Sequence, residues 1–157
     1  MFKVWKAGAF LVFCAAFIAG CASLPEGAQK PGLSIEQVQI VNNEGKAAFA
    51  LDVALSHNSL SALPLKKIQV TVFVNGNPAA NYEENLEKVE VQPHETYNLK
   101  IKVDANLLPG VASRSLAFNR MVKVEASVMV QTIIDENKQN LEFNPTATFE
   151  GIIGHVQ

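Results

Sequence analysis

The chain has 157 residues, 48% of them hydrophobic and 8% aromatic, and a formal charge of −2 from 13 basic and 15 acidic side chains. That is one domain's worth of chain, with enough apolar residues to build a core. Its weak acidity, with Lys66-Lys67 as the only adjacent basic pair, leaves no basic patch and argues against nucleic-acid binding.

Lys3 and Lys6 precede an uncharged apolar run from Ala7 to Ala19, which closes on Ile18-Ala19-Gly20-Cys21. A positive start, an apolar middle and small residues at the end form the layout of a cleaved signal. The last four residues resemble a bacterial lipobox, cut between Gly20 and Cys21 so that Cys21 becomes the lipidated first residue. A transmembrane anchor is one alternative, but the run is 13 residues long, short of the ~20 that cross a bilayer as a helix. A plain secretory signal cut elsewhere is the other, since Cys14 puts a second cysteine in the region. The resemblance implies several acyl chains on Cys21, enough for stable anchoring. With Ala22 rather than Asp next, it also implies the periplasmic leaflet of a Gram-negative outer membrane. Cys14 would leave with the signal and Cys21 would be lipidated, so no disulfide and no cysteine metal site remains.

Ala22 to Gly32 holds two prolines, two glycines and little to bury, and reads as a flexible tether. The expected organisation is therefore a signal peptide over 1–20, the lipidated cysteine and tether over 21–32, and one domain over 33–157.

From Leu33 the hydrophobic period is two. Ile35 is out of phase with Val38 and Ile40, which predicts a bulge near Glu36 or Gln37. Phe49, Leu51, Val53 and Leu55 alternate with smaller or polar residues, as do Ile68 to Val74, Tyr97 to Val103 and Val122 to Val130, each a strand with one face on a core. Val89 and Val91 after Leu86 form a weaker strand. Leu141 and Phe143 open a last one, continuing to Phe149, in which Pro145 favours an edge or a bulge. Turn chemistry falls at Asn42-Asn43-Glu44-Gly45, Asn75-Gly76, Gln92-Pro93-His94 and Asp135 to Lys138. Ser113 to Asn119 suits a short helix that packs Leu116. Seven to eight strands with polar turns predict an all-β antiparallel sandwich of the immunoglobulin or fibronectin type III kind, with a small closed barrel as the alternative.

His57-Asn58-Ser59-Leu60-Ser61-Ala62-Leu63-Pro64-Leu65, set between two strands and followed by Val74-Asn75-Gly76 and Pro78-Ala79-Ala80, resembles the late embryogenesis abundant (LEA) type 2 domain, or WHy domain. The resemblance covers Leu33 to about Phe149. It implies a fibronectin-like sandwich and a protective role under desiccation or envelope stress. Asn58, Ser59 and Pro64 mark the candidate binding loop. Read from the residues alone, the same segment is a crossover, with Asn58, Ser59 and Ser61 capping a strand end and Leu63 and Leu65 returning to the core.

Catalytic chemistry is not evident. His57, His94 and His155 are expected at the surface and share no metal-binding spacing, and no serine sits in a nucleophile elbow. Glu83, Glu84, Glu87 and Glu90 fit a solvated edge better than a cation site. Phe73 and Met129 face away from the core and form a candidate apolar patch if they share a site, or scattered exposed hydrophobes if they do not. The expectation is a non-catalytic protein without metal or cofactor, whose partners are the membrane through its lipid and an envelope protein or lipid. A lipid or apolar-ligand carrier and an accessory subunit of an envelope assembly are the alternatives.

Overall fold

The computed structural model describes residues 29–106, 121–136 and 139–154. Eight strands follow the alternation: β1 (Gly32–Asn43), β2 (Lys46–Ser56), β3 (Leu63–Val74), β4 (Asn77–Val91), β5 (Thr96–Asp104), β6 (Val122–Glu136), β7 (Gln139–Phe143) and β8 (Thr146–Ile153). They make two antiparallel sheets, β1-β2-β5 and β4-β3-β6 with β7 and β8 both beside β6. Hairpins keep β1–β2, β3–β4 and β6–β7 within a sheet, while the chain changes sheet between β2 and β3, β4 and β5, and β5 and β6. That order is the fibronectin type III arrangement, an open sandwich and not a closed barrel.

The inner faces meet in one core. Phe49, Leu51, Val53 and Leu55 of β2 are buried against Ile68, Val70 and Val72 of β3 and Val124, Val128 and Val130 of β6. Burying side chains of this size stabilises by roughly 1.5–3 kcal/mol each. The outer faces carry the polar members of the alternation, including Lys100 and Lys102, both exposed on β5.

Irregularities sit where the alternation breaks. The register of β1 against β2 shifts between Ile35 and Gln37, as the phase of Ile35 requires. Lys66 is an extra residue in β3: Leu65 pairs Thr132 and Lys67 pairs Gln131 on β6, while Leu86 to Lys88 bulge opposite it on β4. The bulge explains how Leu63 and Leu65 can share an inward face with Ile68, an odd-to-even switch that the sequence already contained. The strand expected at Val89 and Val91 is the end of one 15-residue strand, β4. Its edge position explains its weak pattern, because Glu83, Glu84, Glu87 and Glu90 all face water there.

The last strand is divided in two. β7 and β8 both run along the free side of β6 and are separated at Asn144-Pro145. The Pro145 carbonyl accepts the Val130 N–H at 3.1 Å. Proline thus keeps the rung that its missing N–H does not interrupt. The predicted helix at Ser113 to Asn119, with Leu116, lies outside the described residues, as does part of the turn at Asp135 to Lys138.

The pairings define two ends. Gln29 to Gly32, the β2–β3 loop at residues 57–62, the β4–β5 turn and the end of β6 share the entry end. The β1–β2 and β3–β4 hairpins, the start of β6 and the end of β8 share the far end. Strands of this length put the ends about 35 Å apart.

Candidate functional site

The entry end is built around the β2–β3 loop. Alternation does not stop with β2: Leu55, His57 and Ser59 are all 0% exposed, whereas Asn58 faces water and Leu60 is 68% exposed. His57, expected at the surface, is therefore a core residue. The signal that places it inside is the period of two running from Phe49 through Leu55 and on past the strand end.

Buried polar groups need partners, and His57 and Ser59 find them in different ways. The His57 backbone N–H donates to the Glu95 carbonyl at 3.0 Å, tying the loop to the β4–β5 turn. Its Nε2 lies 2.5 Å from the Ser61 carbonyl, an acceptor, which assigns the ring proton to Nε2. Nδ1 is buried without a hydrogen-bond partner among the described residues. Ser59 Oγ accepts the Gln29 N–H at 2.7 Å and donates to the Gln29 carbonyl at 3.1 Å. One hydroxyl thus holds both backbone groups of a residue thirty positions earlier. Pro31 is buried beside this contact, and Gly32 pairs with Ser56. The last four residues of the expected tether, Gln29 to Gly32, accordingly belong to the folded domain.

Of the candidate loop residues, Asn58 and Ser59 lie together. Pro64 is instead the second residue of β3, half-buried and paired with Glu90. The β6 ladder begins only at Leu65, so its missing N–H costs no rung on that side. Gly20 and Cys21 lie outside the described residues, as does His155. His94 is exposed in the β4–β5 turn, where its φ is 60°. Among the described residues no three His, Cys, Asp or Glu side chains come together as a metal site.

Phe73 and Met129 do not form one patch. Both are half-buried on the outer face of the larger sheet, but Phe73 pairs with Glu125 and Met129 with Gln69. Four residues along the strands is about 13 Å. Among the described residues, the exposed large hydrophobic ones are Leu60 at the entry end, and Met121 and Ile152 at the far end.

Charge dominates that outer face. Lys67 Nζ lies 2.5 Å from Glu83 Oε1, and Gln69 Nε2 donates to Glu83 Oε2 at 2.6 Å. Those two donors hold the Glu83 carboxyl below its ordinary range, Lys67 contributing most. Lys123 bridges Glu150 at 2.7 Å and Glu125 at 2.9 Å, which raises its ammonium pKa, Glu150 first. The Tyr82 hydroxyl is raised chiefly by its hydrogen bond to Glu84. A cleft of about 510 Å³ opens at the Lys66 bulge between Lys67, Asn85, Lys88 and Gln131.

The fold is an eight-stranded antiparallel β-sandwich whose entry end carries a pinned loop. A solution structure described as that of a late embryogenesis abundant protein superposes with a TM-score of 0.61 at 11% identity, covering 87% of this chain and 76% of that one. A second solution structure, of an Arabidopsis thaliana protein, gives 0.52 at 15% identity over 81% and 83% of the two chains. At these identities the likeness is one of fold. A crystal structure of a protein from Archaeoglobus fulgidus matches at 14% identity over 79% and 97% of the two chains, with a TM-score of 0.47. No protein-family model matches the chain, and no curated protein matches it in sequence.

Proposed function

We propose that this is a non-catalytic, lipid-anchored envelope protein that protects the cell under desiccation or envelope stress, through contacts its sandwich makes with the membrane or with other proteins. The observation that carries this reading is the fold likeness to a late embryogenesis abundant protein over 87% of the chain. It agrees with the family resemblance drawn from His57 to Leu65 and Asn75-Gly76. Anchoring rests on Ile18-Ala19-Gly20-Cys21. The carrier alternative is less well supported: the space between the sheets is filled by side chains such as Phe49, Leu51, Val70 and Val128, which an acyl chain would have to displace.

A strain lacking the gene is expected to survive drying or envelope stress less well than its parent, with complementation by the intact gene and not by Cys21→Ser. Equal survival of the deletion strain across those stresses overturns the protective role. Full rescue by Cys21→Ser overturns the part played by the anchor.

A further inference from the structure

We propose that the β2–β3 loop is a membrane-docking element, in which Leu60 enters the boundary between headgroups and acyl chains of the bilayer that holds the Cys21 lipid. This rests on the anchoring proposed above and adds to it an orientation, with the entry end down and the far end pointing away from the membrane.

Two observations carry it. The first is an inverted loop. His57 and Ser59, the polar residues, are 0% exposed, while the apolar Leu60 between Ser59 and Ser61 is 68% exposed. Water favours the opposite arrangement, since burying polar groups costs free energy unless each is bonded. Here the buried polar side chains hold the loop from inside, His57 through the Ser61 carbonyl and Ser59 through Gln29, and leave Leu60 at an exposed tip. The second is chain length. Only residues 22–28 separate Cys21 from Gln29, a reach of at most ~29 Å fully extended, and Gln29 is held by the residue next to Leu60. Met121 and Ile152 sit about 35 Å of strand away, at the opposite end. Lys30 and Glu95, exposed beside the loop, are opposite in charge, and a contact made by Leu60 is apolar and should tolerate salt.

A single leucine adds little to the hold of several acyl chains, so its effect is on orientation. The test uses the full acylated protein in phosphatidylethanolamine–phosphatidylglycerol vesicles. Cys21 is consumed by its thioether, so Leu60→Cys and Ile152→Cys each supply one free thiol for an environment-sensitive dye. The dye at position 60 is expected to shift to the blue and to be quenched by acyl-brominated lipids about threefold more than the dye at position 152. Raised salt should not change this. A protein that floats with vesicles while both dyes remain in water overturns the docking alone. Equal quenching of both dyes overturns the orientation and with it the proposal. A protein that does not float overturns the anchoring and the docking together.

Discussion

The two ends of the sandwich reverse the chain by different means. At the far end, Asn75 and Gly76 take φ values of 50° and 77°, and Glu44 and Gly45 take 51° and 84°, so each hairpin is closed by backbone conformation within two residues. A local bond finishes the first, Gly45 N–H donating to Asn42 Oδ1 at 2.8 Å, while the second is also tied to β6, Asn75 N–H donating to the Lys123 carbonyl at 2.9 Å. At the entry end no residue of the β2–β3 loop takes a positive φ. Its shape depends on His57 reaching Ser61 across the loop and on Ser59 reaching Gln29, thirty residues back. One end is closed by left-handed turn residues and the other by hydrogen bonds from buried side chains, so mutations should act differently at each.

His57→Ala is expected to have the largest effect, a loss of about 3 kcal/mol from an emptied core position and the lost hydrogen bond to Ser61, measured by denaturant unfolding. A loss below about 1 kcal/mol would mean that the loop does not depend on its buried ring. Gly76→Val at the far end should cost about 1–2 kcal/mol, because a β-branched residue resists the left-handed conformation. Ser59→Ala should cost about 1 kcal/mol. It should also speed amide exchange at Gln29 by NMR while leaving Asn75 unchanged, and the contrast between the ends fails if both amides respond alike. Lys67→Met serves as a control away from both ends. It removes the main cause of the lowered Glu83 pKa, so the carboxyl should titrate closer to its ordinary range. The sign follows from linkage: a depressed carboxylate pKa contributes stability above the unfolded value, lost as pH falls through the folded one, so under acid the wild type should lose more of this small contribution than the variant, in which Gln69 still donates to Glu83. Leu60→Ser should change stability least, within about 0.5 kcal/mol, since its side chain contributes nothing to the core.

How far each region was legible follows from the same distinction. Phe49 to Leu55, the bulge after Ile35 and the Asn75-Gly76 turn are local patterns, and the structure reproduces them. The division at Pro145 was half visible, since proline announces an edge or a bulge without saying that β7 and β8 separate. The relation of Phe73 to Met129 was not legible, because it depends on the register between β3 and β6, strands some fifty residues apart. His57 is the instructive miss. Histidine type suggested a surface, but position continued the odd-numbered buried series from Phe49. Ser59 followed the same series, yet its partner Gln29 lay in a segment whose composition resembled a loose tether.

The grip of Ser59 on Gln29 also has a mechanical consequence. Tension on the N-terminal segment would otherwise peel β1 from β2 one rung at a time, starting at the Gly32–Ser56 pair. Two hydrogen bonds from a hydroxyl in the β2–β3 loop stand ahead of that first rung. A pull arriving along the tether is borne first by the crossover loop between the sheets, and the edge strand is loaded only after that grip fails.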